Sequence, residues 1–193
     1  MKAPALILID VQQAFDDGSW GSRNNLEAET RIADALAGWR EAGAPVIHVR
    51  HASPTPDGRF IPGRPGFEFK PEAAPFDGEP VITKNVNSAF IGTDLEARLR
   101  EDGVETVALA GLTTDHCCST TARMAGNLGF ETWVLGDAMA THDRVAPDGE
   151  TIPAEQMHRT ALASLDGEFA EVLETREALK RLHTISTASA RPI

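Results

Sequence analysis

The sequence predicts an α/β fold: three α-β-α layers built on a mostly parallel, six-stranded, Rossmann-like sheet. Two observations carry this prediction. Short apolar runs of β-forming residues alternate with segments of helical period, the pattern of β-α-β units. The first run, residues 5–9, is apolar at every position, as a strand covered by helices on both faces must be. At 193 residues the chain can bury one sizeable core and is short for two, so residues 1–183 read as one domain and 184–193 as a tail.

After the strand over 5–9, residues 26–42 carry a helical stripe of Ile32, Leu36 and Trp39 that stops at Gly43. Residues 45–50 form a second strand. The period is then lost over 52–80, which is dense in Pro and Gly and reads as a long excursion over the surface. Residues 80–84 are a third strand, 92–101 a short helix and 105–110 a fourth strand. Thr114 or Asp115 caps the next helix, whose stripe of Cys118, Ala122, Ala125 and Leu128 ends at Gly129. A strand over 131–135, a helix over 154–164, a strand over 170–173 and a last helix over 177–182 complete the domain. The small-residue tail frays or packs on a neighbouring molecule. No internal repeat is present.

Composition narrows function by exclusion. The net charge of −11 and pI near 4.9 leave no basic patch for a phosphate backbone, so nucleic acid is not an expected partner. The two cysteines, Cys117 and Cys118, are neighbours. They cannot staple distant segments and lack the spacing of a structural zinc site. The N-terminal apolar run is too short to cross a membrane and shows no cleavage pattern, so a cytoplasmic location and no membrane partner are expected.

Ligands of open α/β sheets sit beyond the carboxyl ends of the strands. Three reactive side chains stand there. Asp10 ends the first strand in Leu8-Ile9-Asp10-Val11-Gln12, where partial burial can raise a carboxylate into the range of a base; by itself it also suits a turn cap. Lys84 ends the third strand, placed to keep a carboxylate and a thiolate charged; alone it is also an ordinary strand-end lysine. Cys117 follows Gly111-Leu112-Thr113-Thr114-Asp115-His116 at a helix start. Unpaired N–H groups there lower a thiol pKa and can receive an oxyanion, although a free cysteine also serves as a small buried hydrophobe. Cys118, turned by roughly 100° on the helix, faces the core.

These segments, with Phe15, with Ser88-Ala89-Phe90 and with Thr121-Ala122, resemble in order and spacing the isochorismatase-like cysteine hydrolase superfamily, which includes nicotinamidases and other small-amide hydrolases. The resemblance runs from Ala5 to Leu182. It implies that Asp10 and Lys84 activate Cys117, which forms a thioester that water hydrolyses. It further implies a cis Leu112-Thr113 peptide, and an oxyanion hole of the Thr113 and Cys117 N–H groups. Nicotinamidases of the superfamily bind a metal through an Asp-x-His element after the second strand. Here that stretch reads His48-Val49-Arg50-His51-Ala52 with no acidic residue, so no metal and no cofactor are expected; His48 and His51, two histidines three apart, could still be ligands, though such a pair is more often strand or turn surface.

The expected ligand is a small molecule. Phe15, Trp20 and Phe90, with Phe60 and Phe67 from the excursion, are candidate walls, each equally suited to the core. Gln12 and Asn87 are candidates for orienting an amide, and His142, near the rim, for assisting a leaving group, although a loop histidine is more often simply bonded to backbone. The resemblance allows a carboxamide, a lactam of streptothricin type or a ureide, and it implies a homodimer or homotetramer. Two other readings remain at this point: a vinyl ether hydrolase of isochorismatase type using Asp10 as acid, and a flavodoxin-like binding module without catalysis.

Overall fold

The computed structural model describes residues 2–189. Strands β1 (Ala5–Ile9), β2 (Val46–His51), β3 (Val81–Lys84), β4 (Thr106–Leu112) and β5 (Glu131–Ala140) alternate with helices α1 (Ala28–Glu41), α2 (Leu95–Glu101) and α3 (Ser119–Asn127). A two-stranded antiparallel hairpin, β6 (Arg144–Val145) and β7 (Thr151–Ile152), precedes α4 (Ala154–Leu165), β8 (Glu171–Leu173) and α5 (Thr175–Ser189). The main sheet has six strands in the order β3-β2-β1-β4-β5-β8, every neighbouring pair parallel.

The all-apolar first strand explains the layering. Alternate side chains of a strand point to opposite faces. Ala5, Ile7 and Ile9 pack with Leu95 and Leu99 of α2 and with Ala122 and Ala125 of α3. Leu6 and Leu8 pack on the other face with Ile32, Leu36 and Trp39 of α1 and with Ala178 and Leu182 of α5. Strand order reverses between β1 and β4, so the crevice beyond their carboxyl ends is the ligand position of such a sheet. At that point Ile9 lies opposite Gly111, whose φ is +137°, and a Cβ there would stand 2.0 Å from the Ile9 carbonyl oxygen. Only glycine lets the two strands meet so closely.

Local differences from the sequence reading have physical causes. Strand β5 runs on to Ala140 because its pairing with β4 shifts register between Leu109 and Gly111, a bulge that periodicity does not signal. The hairpin β6-β7 is too short and polar to show in the sequence. Neither Thr114 nor Asp115 caps the helix after β4 with its side chain. A π-turn over Thr114–Cys118 leads into α3, with the Cys118 N–H donating to the Thr113 carbonyl at 3.2 Å.

Helix α5 passes through the expected tail as far as Ser189. Its start is held by Asp137 Oδ1, which accepts from the Thr175 N–H at 2.7 Å and its hydroxyl at 2.8 Å. Farther along, the hydroxyls of Thr184 and Thr187 turn back onto the Lys180 and His183 carbonyls, so these residues stay helical. The expectation of a frayed end at 190–193 lies outside the described residues. Among the described residues no helix is long and apolar enough to cross a membrane.

The excursion over 52–80 folds back on the start of the chain. Main-chain bonds join Gln13 N–H to the Glu68 carbonyl and Lys70 N–H to the Val11 carbonyl, each at 2.9 Å. Buried Lys70 then holds Asp16 at 2.6 Å and Glu29 at 2.8 Å, with Arg23 on the other side of Glu29. This network is the brace that places Phe60 and Phe67 beside the residues following β1.

Candidate active site

Three strand ends converge on one point. Asp10 takes a left-handed φ of +53° as β1 ends, with its N–H on the Val49 carbonyl at 2.9 Å. Lys84 ends β3, two strands away, and its long stem crosses the end of β2 to reach Asp10 Oδ2 at 2.5 Å. The same ammonium reaches Cys117 Sγ at 3.3 Å. Asp10 and Lys84 are almost fully buried, Cys117 is half-buried, and Cys118 is in the core. The structure therefore brings together the three side chains that the sequence places only on separate strand ends. The Leu112-Thr113 peptide between β4 and the cysteine segment is cis.

Burial sets the resting charges. It raises the Asp10 carboxyl above its ordinary value, against the pull of Lys84. Burial also opposes the charge on Lys84, but Asp10 and Cys117 outweigh it and hold the ammonium. The Cys117 thiol is pushed up to about 12, first by burial and then by the Asp10 carboxylate, with Lys84 working the other way. The expectation that the helix start would lower this pKa fails, because desolvation at the bottom of the site exceeds the effect of the turn's N–H groups. At neutral pH the cysteine is a thiol facing a buried carboxylate and a buried ammonium.

A fourth residue completes the cluster. His51, at the end of β2, lies opposite Lys84 in the sheet and places Nδ1 3.2 Å from the Lys84 ammonium. Asp10, His51 and Cys117 offer donor atoms within 4.8 Å of one another, the spacing of a metal site. The donor set does not suit an ion, because Lys84 Nζ already points at all three and would be driven against a bound cation. His48 faces elsewhere, with Nε2 on Glu79 at 2.8 Å. In the sequence His51 is visible only as one of two histidines three apart. Its place at the end of the strand between Asp10 and Lys84 is the signal that strand order would have supplied.

The aromatic residues divide. Phe15 and Trp20 stack at 5.1 Å, Phe15 meets Phe60 at 5.2 Å, and the His142 ring stacks 5.6 Å from Trp20. Phe60 in turn meets the edge of His51 at 5.4 Å. These rings form one wall continuous with the polar cluster. His142 is buried, its Nδ1 has no hydrogen-bond partner among the described residues, and burial, then Arg23 and Arg144, hold its pKa at about 4. Phe90 does not join them. It is buried and stacks 6.0 Å from Phe130 in the core that α2 and α3 share, a core against which Cys117 also packs. Phe67 lies under the Arg50 guanidinium at 4.3 Å.

The two amides expected to orient a substrate take other places. Gln12 is fully buried, and both its amide hydrogens go to main-chain carbonyls, of Phe67 at 2.9 Å and His51 at 3.1 Å. Its oxygen accepts from the His51 N–H at 2.8 Å. Gln12 is thus a brace between β1, β2 and the excursion. Asn87 is exposed on the segment after β3. Two further residues support the segment that carries Cys117. Asp115 holds the hairpin through Arg144 at 2.9 Å, and His158 of α4 meets the Thr114 hydroxyl at 2.8 Å.

A doubly wound sheet with a buried carboxylate, an ammonium and a thiol at its switch point is an arrangement that a hydrolase of α/β class can use. A family model, the Isochorismatase domain, matches residues 4–177, and the chain belongs to this family. It is similar to the isochorismatase family protein YrdC of Bacillus subtilis, with 46% identity covering 91% of this chain and 94% of the relative. A streptothricin hydrolase of Streptomyces noursei is 34% identical over 91% of this chain and 63% of its own length. A maleamate amidohydrolase of Pseudomonas putida is 28% identical over 96% and 89%. The crystal structure of an isochorismatase-family protein from Chromobacterium violaceum superposes with a TM-score of 0.92, at 46% identity and 94% coverage of both chains.

Proposed function

We propose that this hydrolase cleaves the C–N bond of a small non-peptide amide, lactam or ureide through a thioester on Cys117. The observation that carries the reading is the single ammonium of Lys84 bonded at once to the Asp10 carboxylate and the Cys117 sulfur. A thiol held at about 12 is a poor nucleophile until a base takes its proton, and the raised Asp10 carboxyl is a base suited to that task. The relative that acts on maleamate, an amide, supports the choice of bond.

In this mechanism Asp10 accepts the thiol proton while Lys84 remains an ammonium and stabilises the sulfur anion. The sulfur attacks the carbonyl carbon. The resulting oxyanion is received by the Thr113 and Cys117 N–H groups, as the family resemblance implies. Asp10 returns the proton to the nitrogen as the C–N bond breaks. Asp10 then takes a proton from water, whose oxygen attacks the thioester, and gives that proton to the departing sulfur. The rings of Phe15, Trp20 and Phe60 supply an apolar wall for the substrate.

The test is a panel of primary amides, lactams and ureides with Cys117→Ala and Cys118→Ala as controls. Cys118→Ala should turn substrate over and Cys117→Ala should not, and mass spectrometry should place an acyl adduct on Cys117. Turnover retained by Cys117→Ala would refute the reading.

A further inference from the structure

An ammonium has three N–H donors and no acceptor. On Lys84 they point at Asp10 Oδ2, Cys117 Sγ and His51 Nδ1. Because Lys84 can only donate, Nδ1 of His51 must be the unprotonated ring nitrogen, and the ring proton resides on Nε2. The imidazole is itself aimed from both sides. Gln12 clamps the main chain of His51 at its N–H and its carbonyl, and Phe60 packs against the ring at 69°.

We propose that His51 is a positioning residue: a neutral imidazole that takes the third hydrogen of the Lys84 ammonium and so aims the other two at Asp10 and Cys117. Without it the third N–H has no acceptor in the cluster, and only Asp10 and the sulfur are left to set the direction of the ammonium. Burial first, and then Lys84 itself, hold His51 down at about 4, so the ring is neutral at neutral pH. The ionisable groups facing it are Lys84, Asp10 and Cys117; Gln12 and Phe60, packed against it, carry no charge. A protonated His51 would set an N–H against the ammonium and open the cluster.

The proposal rests on Lys84 as the cation beside the Cys117 sulfur, and its test does not need a substrate. His51→Phe keeps the ring against Phe60 and removes the acceptor. His51→Asn supplies an amide oxygen where Nδ1 stood. The readout is alkylation of Cys117 by iodoacetamide as pH is varied, with Cys117→Ala as blank. His51→Phe should slow alkylation by about ten- to a hundredfold at each pH from about 7 to 9, the effect of one hydrogen bond to a charged group. His51→Asn should recover most of that loss. Equal rates for His51→Phe and wild type, or equal loss in both variants, overturn the proposal.

Nitrogen-15 NMR of the ring in the unaltered protein provides a second test, valid even if a variant misfolds. Nδ1 should be bare and Nε2 protonated between about pH 5 and 9; a proton on Nδ1 overturns the assignment. Failure to hydrolyse any amide would sink the proposed reaction and leave both of these results standing.

Discussion

Replacing Lys84 with methionine isolates the ion pair on which the site depends. The Asp10 carboxylate is 1% exposed, its Oδ1 has no hydrogen-bond partner among the described residues, and Lys84 holds its Oδ2. Removing the ammonium leaves a buried charge beside a thiol, which costs about 3–5 kcal/mol when only one partner of a buried pair is lost. The variant can relieve this by keeping Asp10 protonated. Its native state then binds a proton that the unfolded chain releases above about pH 4, so its stability falls as pH rises. Urea denaturation followed by the fluorescence of buried Trp39 and Trp133 should therefore show a larger deficit at alkaline than at mildly acid pH. Adding Asp10→Asn should restore part of the loss, since no buried charge remains. A deficit independent of pH, or a double variant no more stable than Lys84→Met, refutes this account of the pair.

Other outcomes follow from the same structure. Burial pushes the Glu29 carboxyl up, but hydrogen bonds from Arg23 and Lys70 prevail and hold it at about 2. Its contribution is complete above the unfolded value of 4.5 and is lost as pH falls toward 2. Glu29→Gln should therefore flatten the acid limb of a stability-pH curve, by up to about 3 kcal/mol. Gly111→Ala should lower stability by about 3 kcal/mol or more in thermal melts, because a Cβ meets the Ile9 main chain and not a flexible side chain. Gln12→Ala leaves main-chain groups of His51 and Phe67 without partners, which should cost about 3 kcal/mol in urea melts. It should also slow Cys117 alkylation by loosening His51.

Much of this molecule is local and therefore legible in the chain. The strand at 5–9, the stripe of Ile32, Leu36 and Trp39, and the alternation of strand and helix follow from side-chain period and solvent avoidance. Asp10 and Lys84 stand out at the ends of strands and Cys117 at the helix start that follows one. Their order and spacing match a known family, and the structure joins them within hydrogen-bond reach. What the sequence could not supply depends on which strands are neighbours and on how deeply groups are buried. His51 enters the cluster only because β2 lies between β1 and β3. Gln12 is a brace and Phe90 a core residue because of segments dozens of residues away. The Cys117 thiol rests high because desolvation is a property of the closed crevice, while the helix start that suggested a low value is a property of the local chain.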